Sequence, residues 1–154
     1  MKNHYILNPG EFFVLQEIQK NRPEIELCIP VRDHGWDLLA LKCDGSSPVR
    51  IQVKESRVYS RGNSWHQLKK TKIADADVFV FVSYVPKVEA ARTAFSQDYV
   101  VIPRVKLEEV CKSKECSSDG KYSFYFSTTE GHLLETRDKK KIVCDEFHRA
   151  WHLI

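Results

Sequence analysis

Long apolar runs, a cysteine framework and a strong excess of charge are all missing from this 154-residue sequence. The longest strongly apolar run covers only residues 78–82, far too short to cross a bilayer. The five cysteines are odd in number and none forms a CxxC pair, which favours free thiols over a secreted disulfide framework. The N-terminus turns polar at residues 8–11, so we expect no signal peptide. These absences together predict a soluble, cytoplasmic protein.

The charge balance is also modest, with a formal net charge of +3. A charge this small does not demand a nucleic-acid partner, but it permits one if the basic residues share a face. Hydrophobic residues make up 42% of the chain and charged residues 29%, which is typical of a globular protein and excludes a disordered chain. Without a repeat or a linker, the sequence predicts one domain over residues 1–154.

Hydrophobic spacing predicts an α/β fold with a mixed central β-sheet flanked by helices. The first three strands should form an antiparallel meander, and the strand at residues 78–84, apolar on both faces, should lie in the middle of a covered sheet. The predicted helices are residues 10–20, 64–72, 88–95 (weakly), 107–112 and 144–153, with Ser64 as the candidate cap of the second. The predicted strands are residues 24–31, 36–43, 49–55, 78–84, 99–102 and 122–127.

Three polar residues in the predicted meander form a candidate catalytic site. Asp37 opens the second strand after a turn that contains a glycine, and Gln52 and Lys54 lie two residues apart on the third strand. Residues i and i+2 of a strand point to the same face, so Gln52 and Lys54 share one side while Ile51 and Val53 pack on the other. The turn between the two strands can then bring Asp37 near both.

This combination of side chains suits metal-assisted hydrolysis of a phosphodiester bond. A carboxylate such as Asp37 binds a hard divalent cation, Mg²⁺ or Mn²⁺, which polarises the phosphate and activates a water molecule. Lys54 can position that water or stabilise the developing charge, and Gln52 can offer only its amide oxygen as a neutral metal ligand. We expect a further acid from the first helix, with Glu11 as the first candidate and Glu17 as the second.

The segments 33–38, DHGWDL, and 51–54, IQVK, resemble the motif of the PD-(D/E)XK nuclease superfamily, which includes restriction endonucleases and Holliday-junction resolvases. Glu11 resembles the helix acid of resolvase-like members. The resemblance implies a restriction-endonuclease-like α-β-β-β-α-β core over about residues 10–84 with C-terminal additions, and metal-dependent cleavage of DNA. It also implies a possible homodimer or higher homo-oligomer. Two departures are the missing proline before Asp37 and Gln52 in place of an acidic residue.

Basic residues follow the motif closely and have aromatic residues between them. Such a mixture suits phosphate contact and base stacking, although it is also typical of a solvated face. The predicted nucleic-acid-binding residues are Arg57, Arg61, His66, Lys69 and Lys70, with Lys72, Tyr59 and Trp65 beside them. The basic segment 139–141 is expected to be a solvated loop.

Two alternatives to a nuclease remain open: a structural or subunit-interaction protein, which predicts no basic face around residues 57–72, and a nuclease-fold protein that binds without cutting. The protein could keep the nuclease fold and bind nucleic acid or a protein partner without cutting, because the missing proline and the neutral Gln52 both allow it. Separately, Cys144, His148 and His152 recur every four residues on the predicted last helix, where one face could present them to zinc. Their spacing matches no familiar zinc motif, and buried thiols are the simpler interpretation.

Overall fold

The computed structural model describes residues 7–32, 34–89, 92–138 and 141–154. Their backbone forms two five-stranded sheets and two α-helices. The first sheet contains β1 (Ile25–Cys28), β2 (Leu38–Lys42), β3 (Val49–Ser56), β6 (Val78–Glu89) and β7 (Arg92–Pro103). The second sheet contains β4 (Tyr59–Ser60), β5 (Asn63–Lys69), β8 (Lys121–Thr129), β9 (His132–Glu135) and β10 (Ile142–Val143). The α-helices are α1 (Pro9–Asn21) and α2 (Arg104–Lys112).

The first sheet is mixed and has the strand order β1-β2-β3-β6-β7. β1, β2 and β3 pair antiparallel as the predicted meander, and β3 pairs with β6 in parallel. Because β6 lies between β3 and β7, its position inside the sheet agrees with the prediction from its apolar residues. The predicted class, an α/β fold with a mixed central sheet, is confirmed.

Residues 78–82 of β6 are all buried and alternate between two cores, which explains why this strand is apolar on both faces. Val80 and Val82 join a core that α1 and Trp151 cover, whereas Phe79 and Phe81 join a second core on the opposite face. The second sheet and α2 close this second core, in which Phe124 is fully buried. Successive residues of a strand point to opposite sides, so one apolar strand supplies both layers.

The helix predicted over residues 64–72 is wrong. That segment forms β5 followed by a 3₁₀ helix, Lys70–Asp75, and these elements connect β3 to its parallel neighbour. Burial along β5 alternates strictly, with Ser64, His66 and Leu68 buried and the residues between them exposed. This period of two is the signature of a strand with one face on a core, so tertiary packing outweighs the helix start signal at Ser64.

Two other predicted helices are also wrong. Residues 88–89 and 92–95 belong to the β6–β7 hairpin, and residues 90 and 91 lie outside the described residues. Residues 144–153 contain two short 3₁₀ helices separated by Arg149, whose φ of 51° interrupts helical geometry. The backbone N–H of Arg149 donates to the carbonyl of Tyr99 (3.0 Å), so the segment is tied to β7 instead of continuing as a helix.

An ion pair fixes the parallel register where β3 and β6 begin. Arg50 lies on β3, and its Nη2 is 2.8 Å from Oδ1 of Asp77, which precedes β6. The backbone N–H groups complete the link, because Arg50 N donates to Asp77 Oδ2 (3.0 Å) and Asp77 N donates to Arg50 O (2.8 Å). The guanidinium of Arg50 lowers the pKa of Asp77, which keeps the carboxylate charged.

Candidate active site

The β2–β3 hairpin brings Asp37 beside Gln52. Leu38 pairs with Ile51 across the two strands, and the N–H of Asp37 donates to the carbonyl of Ile51 at 2.8 Å. The next position on each strand therefore sets Asp37 against Gln52. The sequence predicted that the turn between these strands would bring the two residues together, and the structure confirms the contact.

The carboxylate of Asp37 is held by two donors from β3. The backbone N–H of Val53 donates to Asp37 Oδ2 at 2.6 Å, and the side-chain Nε2 of Gln52 donates to the same oxygen. Nε2 also donates to the carbonyl of Val53 at 3.2 Å. Gln52 is buried, with 6% of its surface exposed. The short side chain of Asp37 and the buried amide of Gln52 are thus both hydrogen-bonded to β3, which limits their motion and preorganises the site.

Lys54 lies on the same strand face as Gln52, two residues further along β3. Its side chain is half-buried, and its backbone is in register with Phe81 of β6. Strand alternation therefore places Asp37, Gln52 and Lys54 on one side of the first sheet. That side is the one on which the second core and the second sheet lie. The catalytic and metal-binding roles of these three residues stay predictions.

The turn before Asp37 depends on a glycine that packs against the 3₁₀ helix. Gly35 has a φ of +83°, a conformation that favours glycine. A Cβ atom on Gly35 would lie only 2.5 Å from Oδ2 of Asp75. Asp75 is itself paired with Lys72, whose Nζ lies 3.0 Å away. The 3₁₀ helix that contains Lys70 and Lys72 therefore contacts the turn before Asp37.

Glu11, the predicted helix acid, is buried at the start of α1. Its Oε2 accepts from the backbone N–H of Asn8 at 2.8 Å, and its Oε1 accepts from Nδ2 of Asn8 at 3.1 Å. The bond from the Asn8 N–H is part of a capping box, in which the acid satisfies a backbone donor at the helix start. A structural role at the start of α1 is thus visible for Glu11, and its role as a metal ligand stays a prediction.

The start of α1 is also anchored to β3 by a residue that the sequence analysis did not single out. The carboxylate of Glu55 accepts from the backbone N–H of Gly10 at 2.8 Å and from the hydroxyl of Tyr84 at 3.1 Å. Burial and the charge of Glu55 raise the pKa of Tyr84 to about 12. Glu55 follows Lys54 directly, so strand alternation alone places it on the α1 side of the sheet.

Glu17, the second candidate acid, lies towards β7. Burial, followed by the negative charge of Glu17, raises the pKa of Tyr99 to about 12. The ring of Tyr99 packs against Trp151 at a centroid distance of 5.2 Å, in the core under α1. Glu17 therefore approaches the sheet at β7, whereas Asp37 lies at the β2–β3 hairpin.

His66 is a correction to the predicted nucleic-acid surface. Its side chain is buried, and burial lowers the pKa of His66 to about 3. The ring meets Phe81 edge-on at 5.3 Å, and its Nε2 is hydrogen-bonded to Oγ of Ser83 (3.0 Å). Ser83 Oγ in turn donates to Ser64 Oγ at 2.8 Å. His66 is therefore a neutral core residue and cannot contact a ligand at the surface.

The other predicted nucleic-acid-binding residues are exposed. Arg57 lies after β3, where its Nη2 is 3.9 Å from Oε1 of Glu55. Arg61 occupies the β4–β5 turn with a φ of 50°, and Lys69 and Lys70 are exposed at the end of β5 and the start of the 3₁₀ helix. In the segment 139–141, residues 139 and 140 lie outside the described residues.

The arrangement that the zinc alternative required is not formed. Cys144 is buried, and Nε2 of His148 pairs with Oδ1 of Asp98 at 2.8 Å. Because residues 144–153 are not one helix, Cys144, His148 and His152 do not share a helical face. Among all the residues that the structure describes, no three His, Cys, Asp or Glu side chains cluster as a metal site.

Comparison with known proteins supports the fold. No family model matches the sequence, and no curated protein is significantly similar to it. Among solved structures, the chain is similar to the bacterial homing endonuclease I-Ssp6803I, with a TM-score of 0.54 and 20% identity. The alignment covers 94% of this chain and 86% of that one. The chain therefore has a nuclease-like fold. No helix within the described ranges is long and apolar enough to span a membrane.

Proposed function

We propose that the protein is a metal-dependent endonuclease that hydrolyses DNA phosphodiester bonds. The observation that carries the proposal is the contact of the Asp37 carboxylate with Gln52 and with the backbone of β3, on the same strand face as Lys54. The similarity in fold to a homing endonuclease supports DNA as the substrate.

The donor chemistry of the site fits Mg²⁺ or Mn²⁺. Asp37 offers an anionic oxygen and Gln52 an amide oxygen, and both are hard ligands of the kind that these cations prefer. When bound, the cation would act as a Lewis acid and lower the pKa of a coordinated water molecule. Glu11 is the proposed third ligand on the resemblance to resolvase-like nucleases alone, since α1 packs on the side of the first sheet opposite to Asp37, Gln52 and Lys54.

The protein's own residues have separate tasks in this proposal. Asp37 holds negative charge at a fixed point, because Val53 N–H and the Gln52 amide restrain one of its oxygens. Lys54 presents an ammonium group that stabilises charge on the phosphate oxygens or orients the attacking water molecule. Arg57, Arg61, Lys69 and Lys70 bind DNA phosphates without contacting the reacting atoms.

One observation favours a second candidate function, a nuclease-fold protein that binds nucleic acid or a protein without cutting. To bind a cation, Gln52 must present its Oε1, whereas in the structure its Nε2 faces Asp37. A permanent hydrogen bond from this amide would stabilise the negative charge of Asp37, so the site would bind a cation less tightly. The two candidates differ in whether the chain cleaves DNA when Mg²⁺ or Mn²⁺ is supplied.

The test is a cleavage assay on a panel of DNA forms with Mg²⁺ or Mn²⁺. Supercoiled, linear, branched and single-stranded DNA are incubated with wild type, Lys54→Ala and Lys42→Ala. Lys42 is a matched control because it is a half-buried lysine at the far end of β2, paired with Ile25. We expect wild type and Lys42→Ala to cut at least one form and Lys54→Ala to cut none. Failure of the wild type to cut any form with either metal favours the non-cutting candidate.

A further inference from the structure

The exposed face of the second sheet combines aromatic and basic side chains from strands that are distant in sequence. On β5, Trp65, Gln67 and Lys69 point away from the core, because the residues between them are buried. Their neighbours on β8 are in direct register, and the pairs are Trp65 with Tyr125, Gln67 with Ser123, and Lys69 with Lys121. We call this surface, with Arg61 and Arg137 at its margin, the outer face.

An aromatic hollow lies at one end of the outer face. Trp65 is 40% exposed, and its ring meets that of Tyr125 nearly at a right angle with a centroid distance of 6.4 Å. The guanidinium carbon of Arg137 lies 5.5 Å from the centre of the Tyr125 ring. The hollow has a volume of about 330 Å³, and its lining residues are Val58, Ser60, Arg61, Asn63, Trp65 and Tyr125. This volume is at the low end of the range for small-molecule pockets, about 300–1,000 Å³.

The charge of the outer face favours an anionic ligand. Arg61, Lys69 and Arg137 supply positive charge, and no ion pair holds any of them among the described residues. Glu135, the acid on neighbouring β9, is completely buried and pairs with Lys114, whose Nζ is 2.8 Å from its Oε2. Glu135 therefore does not offset the charge of the outer face, and the acids nearest to this face are Asp119, which pairs with Lys121, and Glu115 and Asp138, which line a hollow at the Arg137 end.

We propose that the outer face binds single-stranded DNA, with an unpaired base stacked on Trp65 in the aromatic hollow. An exposed indole ring offers a flat surface that a base can reach only after leaving a duplex stack, while Arg61 and Lys69 contact the phosphates on either side. The inference deepens the proposed function, on which it depends for DNA as the ligand. It assigns to Trp65 and Tyr125 a contact with bases that is separate from the cleavage site at Asp37.

Tryptophan fluorescence tests the proposal directly. The full chain carrying Lys54→Ala is titrated without divalent metal against an oligo(dT) strand and against the same strand paired with oligo(dA). Trp65 is the exposed tryptophan, whereas Trp36 is half-buried and Trp151 is buried. We expect the single strand to quench the fluorescence and the duplex to quench it far less. Quenching should disappear when Trp65→Phe is added, because the reporting indole is then absent.

Affinity, measured by fluorescence anisotropy of labelled oligo(dT), separates stacking from general charge attraction. Trp65→Ala should weaken binding roughly tenfold or more, in the range expected for loss of one stacked base. Phe95→Ala is the matched control, since Phe95 is an exposed aromatic residue on a strand of the other sheet. Trp65→Phe should retain most of the affinity because an aromatic ring remains.

Two results would overturn the proposal. The first is an equal loss of affinity in Trp65→Ala and Phe95→Ala, and the second is equal quenching by duplex and single strand. The first would leave a protein contact as the better explanation for the exposed indole, and the second would mean that DNA binds near Trp65 without stacking an unpaired base on it. Because the assay contains no metal and no active Lys54, its outcome is independent of cleavage. If oligo(dT) binds through Trp65 but the wild type cleaves no DNA in the cleavage assay, only the nuclease proposal is wrong. If the wild type cleaves DNA but Trp65→Ala binds oligo(dT) normally, only this inference is wrong.

Discussion

The Asp37 site and the outer face of the second sheet differ in how their side chains are held. Asp37 and Gln52 come from one local hairpin, 15 residues apart, and hydrogen bonds to β3 fix them. Trp65 and Tyr125 meet only because β5 pairs with the distant β8, and both remain accessible to solvent. In our proposals, chemistry belongs to the rigid site and binding belongs to the exposed one. The following predictions test that division, from the largest expected effect to the smallest.

Loss of the Asp37 carboxylate should abolish metal binding. Asp37→Ala removes the proposed anionic ligand, so calorimetry should detect no Mn²⁺ binding at concentrations that saturate the wild type. Gln52→Glu adds a negative charge at the neighbouring position and should tighten Mn²⁺ binding. Asp44→Ala is the control, since Asp44 is an exposed turn aspartate whose Oδ1 accepts from the backbone N–H of the nearby Ser46. Equal Mn²⁺ affinity in wild type and Asp37→Ala would refute the ligand assignment.

Cutting and binding should be separable by mutation. Lys54→Ala should lower the cleavage rate by roughly a hundredfold or more, the scale of positioned acid–base groups, while DNA affinity changes little. Neutralising Arg57, Arg61, Lys69 and Lys70 together should instead weaken binding and flatten its dependence on salt, because fewer counterions are released. Anisotropy at several salt concentrations and initial cleavage rates measure the two effects. A parallel loss of binding in both variants would contradict the division between the two regions.

The rigidity of the Asp37 turn should depend on Gly35. Gly35→Ala forces an alanine to a φ of +83°, which costs about 1–2 kcal/mol, and it sets a Cβ atom against the Asp75 carboxylate. Gly45→Ala is a close control, because Gly45 has a φ of +78° with open space around it. In urea unfolding, the free energy of unfolding should fall by about 1–3 kcal/mol more in Gly35→Ala than in Gly45→Ala, which is the usual cost of overpacking. Adding Asp75→Ala should recover part of the difference, and equal losses at the two glycines would exclude the clash.

His66, which is buried on the inner face of β5, should make the free energy of unfolding depend on pH. Folding lowers the pKa of His66 from 6.5 to about 3, so the unfolded chain binds the proton more readily. The contribution of neutral His66 to the free energy of unfolding is therefore complete above pH 6.5. It is lost as the pH falls towards 3, by about 1.4 kcal/mol per pH unit. Between pH 7 and pH 5 the wild type should lose about 2 kcal/mol more than His66→Gln in urea unfolding. Identical losses would mean that His66 accepts a proton in the folded protein.

Local patterns predicted those parts of the structure that neighbouring residues determine. The period of two along residues 24–31 and 49–55 indicated β1 and β3, and helical spacing over residues 10–20 indicated α1. The contact between Asp37 and Gln52 could be predicted because both strands and the turn between them lie in one short segment. A hairpin of this kind leaves few ways to pair, so spacing alone brings the two side chains together.

The predicted helices at residues 64–72 and 144–153 failed because their signals were local and weak. Ser64 resembled a helix start, but the apolar contacts available to Leu68 and His66 on the second core required a strand. Similarly, the spacing of Cys144, His148 and His152 suggested one helical face, yet Asp98 and Tyr99 of β7 hold that segment in an irregular path. Tertiary contacts can outweigh short helix propensities because those propensities contribute little per residue.

The sequence by itself determined the α/β class, the meander and the placement of Asp37, Gln52 and Lys54 on one face of the first sheet. The tertiary structure alone decided that His66 enters the core while its neighbour Trp65 stays exposed, and that Tyr125 joins Trp65 across the second sheet. The reason is the range of the interactions involved. Strand alternation and hairpin pairing act between residues close in sequence, whereas the faces of β5 acquire their environments from β6 and β8, whose positions only the folded chain defines.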